Sequence, residues 1–164
     1  MEEQATATVG SNTALKRLAG KYLTFTLGSE EFGINIVIVK EIIKLMAITH
    51  IPQTPGYIRG VINLRERVIP VTDLRMKFGM PEIKYGAETC IIVLDMPGAA
   101  AGIIVDAVSE VLDVKGEEIE PPPAFDGKSG MANILGMAKV KGRVVILLEI
   151  EQALNSEGAL SVAH

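Results

Sequence analysis

Residues 58–74 read IRGVINLRERVIPVTDL, and residues 134–150 read ILGMAKVKGRVVILLEI. The two stretches align without a gap, with identities at Ile58/Ile134, Gly60/Gly136, Arg67/Arg143 and Val68/Val144. Leu64/Val140, Arg65/Lys141, Val71/Leu147, Asp73/Glu149 and Leu74/Ile150 keep their character. A weaker echo precedes each copy in the same order, GINIVIVKEI (33–42) against GIIVDAVSEV (102–111). Ordered echoes of this kind are the pattern of a duplicated unit. Each long copy is a strand, a charged turn and a second strand. Two related β-barrel units packed on one another are therefore expected.

The copies differ where contact chemistry is to be expected. Pro70 stands where the second copy has Ile146, and proline cannot donate to a β ladder, so this strand is an edge or a bulge. Glu66 stands where the second copy has Gly142, the residue suited to positive φ. Edges and bulges are features of contact sites.

Outward from the repeat, YLTFTLG alternates like a half-buried strand, and order is expected to begin near Tyr22, after a mobile segment at 1–20. In residues 37–45, Val37, Ile38, Glu41, Ile42 and Leu45 are spaced at three and four, which predicts one short helix. In DLRMKFG, Asp73 is an N-cap and Gly79 a C-terminal stop for a helical turn or two. ETCIIVLDM and AAAGIIVDAV are strands around a Pro97-Gly98 turn, and SEVLDV is another. GEEIEPPPAFDGKSG is a loop in which three prolines forbid a ladder or helix, and EIEQALNSEG is a short helix. The expected division is a first unit at about 21–80, a second at about 86–150 and a tail at 156–164.

At 164 residues the chain is one domain or two small units with a shared core, and 48% hydrophobic residues supply the material. With three Tyr, four Phe and no Trp, that core is built from Ile, Val, Leu, Met and Ala. The net charge of −4 gives no general attraction for nucleic acid or anionic membrane. The opening MEEQATATVG has acids where a signal peptide needs a basic region, and the apolar run at 96–105 is far short of a membrane span. A cytoplasmic protein is expected.

Catalytic chemistry finds little footing. Cys90 is alone, in the apolar run TCIIVL, and reads as a buried small hydrophobe. His50 lies two residues before Pro52 and His164 is terminal; a pair of Cys90 with His50 is formally possible, but the apolar run around Cys90 favours the buried reading, and a lone cysteine makes no multi-cysteine metal site. No phosphate-cradling, nucleophile-elbow or zincin motif occurs. Asp95, Asp106 and Asp113 read as strand-end and turn residues. Arg59, Arg65, Arg67, Arg75 and Lys77 form a basic stretch, read either as a contact site for an acidic partner or as a solvated rim. Nucleic-acid binding is a third reading, weakened by the lack of an aromatic platform. Arg65, between strand and turn, has a planar fork able to bridge two surfaces.

GINIVIVKEI, THIPQTPGYIRGVINLR, VIPVTDLRMKFG, GIIVDAVSEV and GRVVILLEIEQALN together resemble the chemotaxis coupling protein CheW family, over roughly residues 21–155. The resemblance implies a mainly β fold: two SH3-like five-stranded β-barrel subdomains around a shared apolar core, with a few short helices. It implies a non-catalytic cytoplasmic adaptor without cofactor, located at receptor arrays beneath the inner membrane. Its implied partners are the regulatory domain of the histidine kinase CheA and the cytoplasmic tip of methyl-accepting chemoreceptors, with no nucleic acid and no direct membrane insertion. By position, the resemblance assigns kinase contact to Val39 and Gly60, and receptor contact to Glu41 and Arg65, with Val105 and Val111 lining an apolar groove between the units. The family pattern NLRG is broken here by Glu66. Alternatives are a CheW-like regulatory domain of a larger chemosensory protein, or a small β-barrel nucleic-acid binder.

Overall fold

The structure is a computed structural model that describes residues 15–122 and 133–155. Among the described residues eleven strands form two sheets: β1 (Gly20–Leu27), β2 (Glu30–Asn35), β3 (Val39–Lys44), β4 (Ile58–Leu64), β5 (Arg67–Asp73), β6 (Cys90–Met96), β7 (Ala99–Val105), β8 (Ala107–Val114), β9 (Ile119–Glu120), β10 (Ile134–Val140) and β11 (Arg143–Leu148). Helix α1 (Leu74–Lys77) follows β5, and α2 (Ile150–Asn155) follows β11. The strands are rich in Val and Ile, whose branching suits a pleated surface.

One sheet runs β3-β6-β7-β5-β4; the other runs β8-β1-β2-β11-β10-β9. The two orders are the same order written in the two copies of the repeat, with the two-residue β9 added at one edge. Register agrees as well. Val71 of β5 lies beside Gly102 of parallel β7, and its counterpart Leu147 lies beside Gly33 of parallel β2. Bulges fall at matching places too, at Ile58/Gly60 and Ile134/Gly136, and where Val39 faces Leu94 and Val108 faces Phe25. The repeat thus extends over residues 24–42 and 93–111, sixty-nine positions apart by the pairing of Gly33 with Gly102.

The barrels do not follow the expected division at about 21–80 and 86–150. Each takes a central hairpin from the other half of the chain: β6–β7 completes the barrel of β3, β4 and β5, and β1–β2 completes that of β8, β10 and β11. Paired edges attract whichever complementary hairpin closes the sheet, and chain order does not enter.

The exchange places apolar residues in three clusters. Ile62, Ile69, Val71, Ile91, Val93 and Ile104 fill the first barrel. Tyr22, Leu112, Val114, Val140, Val145 and Leu147 fill the second. Between them a shared core gathers Phe25, Phe32, Ile34, Leu74, Ile92 and Ile103 from both sheets. Phe25 and Phe32 stack there with ring centroids 5.9 Å apart.

Several local expectations meet a different structure. Residues 37–45 are not a helix: a 3-10 turn at Ile36–Ile38 leads into strand β3, which pairs with β6 along its length. Four β-branched residues in succession satisfy a helical spacing and a strand equally, and the ladder decides. Leu15 and Leu18, placed before the expected start of order, pack on the second barrel, and the Tyr22 hydroxyl donates to the Leu18 carbonyl at 2.5 Å. The loop beginning GEEIE starts with a 3-10 turn at Gly116–Glu118 and the short strand β9, which pairs with β10 before the prolines begin. Asp73 caps α1 as expected, accepting from the Met76 amide at 3.2 Å, and Gly79 follows with φ 78°. Of the segment expected to be mobile at 1–20, residues 1–14 lie outside the described residues, as does the tail at 156–164.

Candidate partner-docking faces

The turn joining β4 to β5 has both central residues at positive φ, Arg65 at 50° and Glu66 at 69°. Its counterpart between β10 and β11 has Lys141 at 57° and Gly142 at 78°. Both are the two-residue turns whose twist matches that of a hairpin. Asn63 Oδ1 accepts from the Glu66 amide at 3.0 Å and holds the first turn without a glycine.

Because the turn is fixed, Arg65 is aimed. Its Nη1 and Nη2 donate to Glu41 Oε2 and Oε1 at 2.5 and 2.8 Å, a bidentate pair from the turn to the edge strand β3. The hydrogen bonds from Arg65 hold the Glu41 carboxyl below its ordinary value. The pair ties β3 to the far end of its open sheet, where no ladder hydrogen bonds run between β3 and β4. The second barrel makes a related closure: Glu110 on β8 accepts from Arg143, which also donates to Glu31 at 2.9 and 3.4 Å. Glu110 is lowered in turn by the hydrogen bond from Arg143.

The structure brings Glu41 and Arg65 together and separates the other expected contact residues. Gly60 is buried, with φ 139°, beneath the segment that carries Thr49. A Cβ there would lie 2.0 Å from the Thr49 carbonyl oxygen, so the glycine admits the paired bonds Thr49 N to Val61 O (2.8 Å) and Val61 N to Thr49 O (2.9 Å). Val39 is half-buried and packs on the shared core. Val105 is a correction: at 1% exposed it belongs to that core and cannot line a surface groove. Its place at the end of β7, immediately before the turn at Asp106, points the side chain inward. Val111 is 49% exposed on β8, on the outside of the second barrel, so the two valines share no groove.

Sequence reading also grouped residues that the fold disperses. Arg75 leaves the basic rim entirely: it is buried, and its Nη1 donates to Asp106 Oδ2 at 2.7 Å while Nε donates to the Pro81 carbonyl at 3.1 Å. Asp106 also accepts from the Gly28 amide at 2.7 Å and so joins α1 to the β1–β2 turn. Arg59 lies 3.4 Å from Glu82 and over the Tyr85 ring, and Lys77 lies over the Tyr57 ring. Burial pushes the half-buried Cys90 thiol up, away from thiolate chemistry. Burial likewise raises the Tyr85 phenol, whose hydroxyl donates to Asp73.

Two exposed aliphatic residues without a contact role in the sequence reading lie next in the chain to Glu41 and Arg67. Ile42 on β3 is 45% exposed and Val68 on β5 is 69% exposed. Their repeat counterparts are Val111 and Val144, the latter 47% exposed. Each barrel therefore carries the same pair of outward aliphatic residues beside a Glu–Arg closure. The signal was present in the sequence as the out-facing beat of each alternating strand. Apolar side chains rimmed by hydrogen-bonded charges are the anatomy of a reversible protein interface. Among the described residues no group of three metal-ligating side chains occurs, and no helix is long and apolar enough to cross a membrane.

Two barrels with exchanged hairpins and a shared core define a protein of the duplicated two-barrel class. The model of the CheW-like domain matches residues 21–158, and the chain belongs to the CheW family. It is 40% identical over 147 residues to a protein named chemotaxis protein CheW from Klebsiella aerogenes, covering 90% of this chain and 89% of that one. A protein of the same name from Helicobacter pylori is 32% identical over 157 residues, with 95% and 94% covered. Among solved structures, the scaffolding protein TtCheW from Thermoanaerobacter tengcongensis superposes with a TM-score of 0.77 at 36% identity, covering 86% of this chain and 96% of that one.

Proposed function

We propose that the chain is a non-catalytic chemotaxis adaptor, which couples transmembrane chemoreceptors to the histidine kinase CheA and helps to build the receptor–kinase array on the cytoplasmic side of the inner membrane. One observation carries the reading: outward aliphatic residues beside Glu–Arg closures recur at equivalent positions of both barrels, so one rigid body offers two docking faces. An adaptor needs two contacts held at a fixed relation, and a shared core supplies that relation. The names of the relatives agree with this role.

Within this reading, Glu41, Arg65 and Val111 belong to the receptor contact, and Val39 and Gly60 act at the kinase contact by holding β3 and the segment at Thr49 in place. Arg65→Ala separates the faces. Titrated separately with a receptor cytoplasmic tip and with the kinase regulatory domain, it should lose affinity for one of them on the order of tenfold while its melting temperature changes little. Arg65→Lys should recover only part, because an ammonium lacks the fork. Affinities within twofold of wild type for both partners would remove Arg65 from the site. Absence of binding by the wild-type chain to either partner would remove the adaptor reading itself.

A further inference from the structure

The internal repeat permits a comparison of the two barrel seams residue by residue, and one group is missing from the first. In the second barrel Arg143 is held by two carboxylates, Glu110 and Glu31. The counterparts in the first barrel are Arg67 for Arg143, Glu41 for Glu110 and Ala100 for Glu31. Glu41 is engaged by Arg65, and Arg67 has no hydrogen-bond or ion-pair partner among the described residues. Where Glu31 would reach, alanine leaves space: a cavity of about 120 Å³ has Lys40, Glu41, Arg65 and Arg67 at its rim and Ala100 among apolar Leu64, Ile69 and Val93 in its lining. That is several times the roughly 30 Å³ share of a water molecule, so a short side chain fits.

Charge gives the same answer. Three cations, Lys40, Arg65 and Arg67, face one carboxylate, Glu41, around this cavity. At the second seam Lys141 and Arg143 are balanced by Glu31 and Glu110, and Ser109 stands in the place of Lys40. The first seam therefore lacks negative charge at the point where it has room for it. Val68, adjoining Arg67 and 69% exposed, supplies an apolar flank.

We propose that the cavity beside Arg67 and Ala100 receives a carboxylate side chain from a protein partner, a glutamate or aspartate set next to an apolar residue, in the position that Glu31 occupies beside Arg143. The exposed guanidinium, the small residue and the cationic rim make a socket for a bidentate carboxylate. The proposal deepens the adaptor reading in naming the chemistry that the partner brings; the socket itself does not depend on that reading.

Two measurements on the full chain test it. The first concerns the socket alone: Ala100→Glu supplies the carboxylate from within, and Ala100→Gln supplies the same volume without charge. At neutral pH Ala100→Glu should melt at least 2 °C above Ala100→Gln, a small gain of the size expected of an ordered surface ion pair; a lower melting temperature for Ala100→Glu overturns the proposal. The second concerns the partner. Ala100→Glu and Arg67→Ala should each weaken binding of either the kinase regulatory domain or the receptor tip about tenfold, which is about 1.4 kcal/mol, and Ala100→Gln should weaken it less. Binding of both within twofold of wild type by Arg67→Ala overturns the proposal while leaving the adaptor reading intact. Failure of the wild-type chain to bind either partner refutes the adaptor reading, and the melting comparison then decides the socket alone. Stabilisation of the wild type, but not of Arg67→Ala, by inorganic phosphate would show a free-anion site and also overturn it.

Discussion

Replacing Gly60 by alanine should cost far more than the loss of a flexible residue on a surface hairpin. The new Cβ would stand 2.0 Å from the Thr49 oxygen, 2.7 Å from the Thr49 carbonyl carbon and 3.0 Å from His50 Cα. All three are backbone atoms, so no side chain can turn away, and the Thr49 segment must lift. Lifting breaks the two bonds between Thr49 and Val61, each worth about 1 kcal/mol net. Holding alanine at φ 139° adds about 1–3 kcal/mol of backbone strain. The sum is about 3–5 kcal/mol, and for a domain of this size it lowers the melting temperature by roughly 10 °C. Gly142→Ala is the control, because Gly142 also has positive φ, 78°, but nothing stands within 4 Å of its Cβ position. Circular-dichroism melts of both variants separate clash from strain, and hydrogen exchange at the Thr49 and Val61 amides locates the damage. If Gly60→Ala melts no lower than Gly142→Ala, the close approach of the Thr49 segment is not what Gly60 provides. Confirmation would also show how a buried glycine could serve the proposed kinase contact: its replacement moves the neighbouring segment.

Glu66→Gly should be neutral or stabilising by up to about 1 kcal/mol in thermal melts, since φ 69° costs a side chain strain that glycine avoids; a clear drop in melting temperature would count against it. Asp106→Ala should lower stability by about 3–5 kcal/mol in urea titrations, because it strips the buried Arg75 of its carboxylate and the Gly28 amide of its acceptor; retention of wild-type stability would contradict it. Glu41 has its carboxyl lowered in the folded state, so the contribution of its pair is present above the ordinary carboxylate range and lost as pH falls through the folded value. The melting difference between wild type and Glu41→Gln should therefore be positive at neutral pH, shrink on acidification and shrink in high salt; a difference that grows toward low pH would reverse the sign of the reasoning.

Local rules made the hairpins legible. Alternation over IRGVINL and RVIPVTDL, a charged two-residue turn and an Asp–Gly bracket around α1 all sit within a few residues of what they determine. Residues 37–45 failed for the opposite reason, since only the distant strand β6 distinguishes a β-branched helix spacing from a strand. The duplication was visible as aligned residues, but the hairpin exchange was not, because nothing in β6–β7 states which sheet will take it. The site divides the same way. Glu41 and Arg65 were singled out separately and their bond was not foreseen, being a contact across 24 positions. Val105 was misplaced because a valine at a strand end carries no mark of the side it faces, and Arg75 because its partner Asp106 lies 31 residues away.

Hairpin exchange also dictates when this protein can fold on the ribosome. The barrel that contains β3, β4 and β5 is missing its middle until β7, ending at Val105, has been synthesised. The other barrel holds β1 and β2 from the start but waits for β11, ending at Leu148. A nascent chain that stops near residue 80 therefore presents open strand edges and the apolar faces of Ile62, Ile69 and Val71 with nothing to cover them. No half of the chain is a foldable intermediate. The first barrel can close only once Val105 has been made and the second only once Leu148 has, leaving the growing polypeptide dependent on shielding until then.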